Sequence, residues 1–161
     1  MKLFLEILLL IILVFCFGYL FFYYADILFA PGTKQNAESK VCFTLPTGEN
    51  CFFVELAKTN AERKKGLMNV KQLNENKGMF FIFEREGIYH FWMKNTLIPL
   101  DIIWIDSDNK IVFIKESAQP CKSLVCPNIN PEAKAKYVLE INGGQAKAIG
   151  LKIGDNVSVT Y

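Results

Sequence analysis

Phe91-Trp92-Met93-Lys94-Asn95-Thr96-Leu97-Ile98-Pro99-Leu100-Asp101-Ile102-Ile103-Trp104-Ile105-Asp106 sets a cluster of polar residues between two aromatic and β-branched runs. In an extended chain side chains alternate faces, so Phe91, Met93 and Asn95 look one way and Trp92, Lys94 and Thr96 the other. Each face therefore mixes apolar with polar groups. Asp101 opens the run Ile102 to Ile105. A carboxylate beside so apolar a segment must reach water or collect hydrogen bonds, because an unpaired buried carboxylate is very costly. Lys94, Asn95 and Thr96 are the nearest donors in sequence. The run itself reads as a strand covered on both faces at least in part, as in a sandwich or barrel.

Working outward, further strand signals flank this stretch. Val41 to Leu45 and Cys51 to Ala57 are β-type runs about a turn, and Met79 to Phe83, Tyr89 to Met93 and Lys110 to Lys115 follow between turn-forming groups. Tyr137 to Ile141 and Val157 to Tyr161 complete the set. The period changes at Thr59-Asn60-Ala61-Glu62, which has the form of a capping box and predicts a short helix ending at Gly66. A second single-turn helix is expected over Gln145 to Ile149. Pro120, Pro127 and Pro131 make the Cys121 to Pro131 region a loop. The fold expected is mainly β, a compact β-sandwich or barrel of about seven to nine short strands with two short helices.

Several blocks also carry a resemblance. Phe91 to Thr96 with Ile98-Pro99-Leu100-Asp101 is similar to the central signature of the domain-of-unknown-function 192 family, also catalogued as uncharacterised protein family 0127. Gly66-Leu67-Met68, Gly78 to Phe83, Ala118-Gln119-Pro120-Cys121 and Tyr137 to Glu140 with Gly143 or Gly144 agree in order and spacing. The resemblance spans roughly residues 50 to 161 and implies a mainly β domain, with no established reaction. The chain departs from the family at Val70, where an arginine is common, so no role of that arginine carries over.

In front of this domain, Ile7 to Ala25 holds nineteen uncharged residues rich in Leu, Ile, Phe and Tyr. At about 1.5 Å per residue, that suffices to cross a hydrocarbon layer of roughly 30 Å as a helix. It is longer than the apolar core of a cleaved secretory signal, and Leu28-Phe29-Ala30 is a poor cleavage site. Residues 1–30 therefore read as an uncleaved anchor with a transmembrane span at about 7–25, 31–39 as a tether, and 40–161 as one extracytoplasmic β domain. Lys2, the base preceding the span, orients the domain outward. The membrane is the expected partner of this segment. The net charge of +2 and the lack of a basic tract argue against nucleic acid.

Cysteine usage agrees with an external compartment. Of five cysteines, Cys16 falls in the expected span. Cys42 and Cys51 flank a hairpin-like turn, while Cys121 and Cys126 close a small loop, so the expected disulfides are Cys42–Cys51 and Cys121–Cys126. Their spacing does not suit a zinc knuckle.

Chemistry centres on the signature. His90, the chain's one histidine, lacks a positioned partner in sequence, and no Gly-x-Ser-x-Gly, phosphate loop or His-Glu-x-x-His motif occurs. Trp92, Lys94, Asn95, Thr96 and Asp101 are the candidate ligand-binding residues: Lys94 and Asp101 as an orienting ion pair, Asn95 and Thr96 as hydrogen-bonding groups, and the tryptophan as an apolar wall. The expected function is a binding or accessory module for a small polar ligand or an envelope partner, needing no cofactor. One alternative is an envelope hydrolase using Asp101 as acid or base with Lys94 as charge stabiliser, for which Glu140 is a candidate second acid. Another is a Cu(I) site of Met68, Met79 and Met93, weighed against their use as core filler.

Overall fold

A computed structural model of the chain describes residues 14–21 and 38–161. The chain divides into two compact units, Met1–Asn36 and Ala37–Tyr161. In the first, residues 14–21 are helical. Among the described residues no helix is long and apolar enough to cross a membrane. The span expected at 7–25 lies mostly outside the described residues, as does the tether at 31–39.

The second unit is mainly β. In chain order it contains β1 (Lys40–Leu45), β2 (Gly48–Ala57), α1 (Asn60–Lys65), β3 (Lys77–Gly87), β4 (Phe91–Trp92), β5 (Leu100–Ile105), β6 (Ile111–Ala118), β7 (Asn128–Ile129), β8 (Ala135–Asn142), α2 (Gln145–Ile149) and β9 (Val157–Thr160). Seven strands form one mixed sheet in the order β6-β5-β8-β3-β2-β1-β9, and β4 pairs with β7 in a separate ribbon. The expected barrel is not closed. The two edges of the sheet meet only at one corner, where Lys110 bridges Asn156 and Val157 N–H donates to Asn109 O at 2.8 Å. Beyond that corner β9 pairs with β1 and β6 with β5, and among the described residues no ladder joins β6 to β9.

Both faces of the sheet are covered. One core gathers Val41, Phe43, Phe80, Ile103, Leu139 and Ile141. The other gathers Phe81, Met93, Leu100, Ile102, Trp104 and Val138. Alternate residues of β5 thus enter different cores, which is why the whole strand is buried although it is not amphipathic. Trp104 is fully buried and its indole N–H donates to Tyr89 O at 2.9 Å, the partner such a ring needs out of water.

One connection positions the site. β2 and β3 pair in parallel, so a tight turn cannot join them and residues 58–76 must cross over the sheet. The crossover starts with α1, whose capping box is formed: Glu62 N–H donates to Thr59 Oγ1 at 3.2 Å, and Thr59 N–H to Glu62 Oε2 at 2.7 Å. Such a cap contributes about 1 kcal/mol. The helix stops at Gly66, which has a positive φ of 47° and donates its N–H to Glu62 O at 2.8 Å. Both expected disulfides are formed. Cys42 faces Cys51 across β1 and β2 with S–S of 2.10 Å, and Cys121–Cys126 closes its loop at 2.08 Å.

Candidate functional site

The sheet presents two buried carboxylates on neighbouring strands. Asp101 on β5 pairs with Ile141 of β8, and Ile102 pairs with Glu140. Directly opposed residues share a face and successive ones alternate, so Asp101 and Glu140 point to opposite sides of the sheet.

Asp101 is fully buried and fully occupied. Its Oδ1 accepts from Ser117 N–H at 2.7 Å and Gly144 N–H at 2.9 Å, and its Oδ2 accepts from Ala146 N–H at 2.7 Å. Gly144, the N-cap of α2, has no side chain to cap the helix, and Asp101 supplies the acceptor from the neighbouring strand β5. Sequence proximity suggested Lys94, Asn95 and Thr96 as its donors; the bonds instead come from backbone brought in by β6 and α2. Asp101 is thereby removed from any grouping with Glu140 on the other face, and the two-carboxylate hydrolase arrangement does not assemble.

Glu140 lies in the other core with 5% of its surface exposed, and its Oε2 has no hydrogen-bond partner. Its register row is apolar, with Met79 on one side and Ile102 on the other. Desolvation by this burial pushes its pKa up to about 8. At neutral pH the group therefore carries a proton and can donate a hydrogen bond.

Glu140 closes one end of a recess of about 30 Å³, reached past Gly66, Trp92, Lys94 and Thr96. That is space for one water-sized group. Gly66 borders this recess: a Cβ there would stand 3.8 Å from Glu140 Oε2 and 3.4 Å from Phe81 Cζ, in ordinary contact with both, and would take up part of the space between them. Outside it lies an apolar mouth of about 460 Å³ formed by Ala61, Met68 and Trp92, with Lys64, Lys65 and Lys94 around it. A further groove of about 560 Å³ runs from Lys65 and Met68 to Val70 and Met79 under the crossover.

The walls are fixed by backbone bonds. Met93 O accepts from Cys121 N–H at 3.0 Å, and Asn95 N–H donates to Cys121 O at 3.0 Å, so the disulfide loop holds the Met93–Thr96 turn. Asn69 N–H donates to Asn95 O at 2.9 Å, which ties that turn to the crossover. Asn69 and Asn95 both have positive φ, 63° and 56°, a conformation that asparagine tolerates better than most residues. Lys94 Nζ sits 5.5 Å from the centre of the Trp92 ring, a cation–π contact at the mouth.

Of the predicted site residues, Trp92, Lys94 and Thr96 thus meet at the recess, and Asn95 joins them at its mouth. Met68 and Met79 line the larger groove, while Met93, 4% exposed, belongs to the core with Trp104. Met68 was expected only as a Cu(I) ligand, Gly66 and Lys65 were not picked out as site residues from sequence, and Glu140 entered only as a second acid for Asp101. The available signal was a single acid inside the apolar run Tyr137 to Ile141.

Comparison with known proteins gives the context of this arrangement. The profile of DUF192, described as "Uncharacterized ACR", matches residues 43–159. The chain belongs to the DUF192 family. A UPF0127 protein of Thermococcus kodakarensis is 30% identical over 66% of this chain, and one of Thermococcus gammatolerans is 31% identical over 65%. The matched region spans 64% and 65% of the length of those relatives. Among solved structures, a protein of unknown function from Novosphingobium aromaticivorans is 39% identical, with a TM-score of 0.69 over 74% of this chain and 83% of its own. A candidate transcription regulator from Sinorhizobium meliloti is 34% identical, with a TM-score of 0.70 over 75% of this chain and 92% of its own. Four residues of the DUF192-like signature, Phe91, Trp92, Lys94 and Thr96, line the recess.

Proposed function

We propose that this DUF192 chain is a binding module for a small polar ligand, seated at the mouth between α1 and the Trp92–Thr96 turn with one polar atom reaching Glu140. The observation that carries this reading is the unpartnered Oε2 of Glu140 at a recess bordered by Gly66. A buried polar group without a partner costs roughly 1–3 kcal/mol, so its retention in an otherwise apolar row calls for a purpose other than stability. The apolar mouth with a few convergent polar groups is the usual composition of a small-molecule site. An extracytoplasmic setting, with the apolar run 7–25 as its anchor, belongs to the same reading; the two disulfides support the compartment.

The test is a thermal-shift and tryptophan-fluorescence screen of the full chain against sugars, amino acids and organic acids. At least one compound is expected to raise the melting temperature and to change Trp92 emission. The same compound should lose both effects in Trp92→Ala and Lys94→Met. If none acts, or if those variants respond like the parent, the binding reading fails.

A further inference from the structure

The charges around Glu140 are unequally distributed. Every charged side chain that lines the recess besides Glu140 is basic: Arg63, Lys64 and Lys65 from α1 and its end, and Lys94 from the turn after β4. The strands beneath contribute no charge, since Met79, Phe81 and Ile102 flank Glu140 on β3 and β5. Arg63 is also a fixed charge, because its guanidinium donates to Ile82 O at 2.8 Å and to Lys58 O and Asn60 Oδ1. A cation brought to this mouth meets Lys64, Lys65 and Lys94, with Arg63 at the recess behind them, and gains no ionised partner there. An anion meets the reverse arrangement.

We infer that the ligand is an organic carboxylate, one of its oxygens entering the recess to accept a hydrogen bond from the Glu140 carboxyl while its apolar body lies on Met68 and Trp92 between Lys64, Lys65 and Lys94. This rests on the binding reading above and deepens it. The recess of about 30 Å³ admits one oxygen and offers one donor at its floor. A phosphate would leave its remaining oxygens without the cluster of backbone N–H groups that phosphate sites use. The mouth of about 460 Å³, apolar at Ala61, Met68 and Trp92, suits a hydrocarbon or aromatic body better than a fully polar one. A hydrogen bond between a protonated carboxyl and a carboxylate is charge-assisted and strong where water is excluded. It also needs the Glu140 proton, so affinity should fall as pH rises through about 8.

Three rings of one shape separate the cases: benzoate, benzamide and benzylamine, titrated into the full chain with Trp92 emission as readout. Benzoate should saturate and benzamide should bind at least roughly tenfold more weakly, the scale of one charge-assisted bond. Benzylamine should not bind, and inorganic phosphate should not displace benzoate. Raising the pH from about 6 to about 9 should weaken benzoate roughly tenfold as Glu140 ionises. Glu140→Gln, which keeps a donor and does not titrate, should bind benzoate with a flat profile over that range. Lys94→Met should weaken benzoate by a larger factor than it weakens benzamide. Equal binding of benzamide or benzylamine, displacement by phosphate, or an unchanged pH profile in Glu140→Gln would overturn the carboxylate assignment. If a neutral compound from the screen still binds in a manner that requires Trp92 and Lys94, the binding reading survives that failure. If no ring binds and no screened compound does, both fall.

Discussion

Asp101 and Glu140 sit on adjacent strands, one register step apart, and both are withdrawn from water. Their surroundings are opposite. Asp101 accepts three backbone N–H bonds and so joins β6 and α2 to β5. Glu140 has an oxygen with no partner and a recess in front of it. Burial alone therefore does not separate the two acids. The accounting of donors does: the bonds of Asp101 make it part of the frame, while the incomplete set of Glu140 is what the proposed ligand would fill.

The largest effect that would test this contrast is on stability. Asp101→Asn turns an amide NH₂ toward backbone donors and removes charge-assisted bonds worth roughly 1.5–3 kcal/mol each, so a loss of about 4 kcal/mol is expected. Glu140→Gln near neutral pH replaces one uncharged group by another of similar shape and should cost less than about 1 kcal/mol. Urea unfolding of both variants of the full chain measures the difference. Similar losses for the two would end the distinction between frame and site.

A smaller effect sharpens it. Replacing Cys121 and Cys126 together by serine removes the tie that holds the Met93–Thr96 turn. The closed loop is short, and its chain-entropy contribution is about 2 kcal/mol. Hydrogen exchange should speed at the amides of Asn95 and Cys121, which bond across this contact. It should stay unchanged at Ser117, Gly144 and Ala146, which bond to Asp101. Equal acceleration on both faces would show that the loop supports the whole domain and not the site wall alone.

The most gradual effect is on the pH dependence of stability. Glu140 has a folded pKa of about 8 against an ordinary 4.5, so between those values the folded chain keeps a proton that the unfolded chain has lost. Its contribution is fully present below about 4.5 and is lost as pH rises toward 8, at up to about 1.4 kcal/mol per unit. Glu140→Gln should remove that slope. Parallel curves for parent and variant would mean that Glu140 is ionised in the fold and that some other group satisfies it.

The contrast was not legible in the sequence, for a reason that β5 makes plain. Period-2 alternation assigns faces only where one face is polar, and Leu100 to Ile105 is buried throughout. Asp101 could then be placed next to Ile102 but not on a side of the sheet. Its donors come from Ser117, Gly144 and Ala146, and only register brings them together. Other features depended on local rules and were readable. Thr59 and Glu62 form their cap three residues apart. Cys42 and Cys51 face each other because the turn between them sets the pairing. The capacity to roll a sheet was visible in the number and length of the strands, but its failure to close was not, since that depends on how far β6 and β9 remain apart past one corner.

The parallel pairing of β2 and β3 has a consequence for how such a domain could be remodelled. A connection over the sheet is compulsory there, yet nothing in the two ladders dictates its length or its side chains beyond α1. Within residues 66–76, Leu67 packs into the core and Asn69 holds the Met93–Thr96 turn, so this visor is fixed at those points and exchangeable at its exposed positions Lys71, Gln72 and Glu75. New side chains there would change the rim of the groove while every strand kept its neighbour.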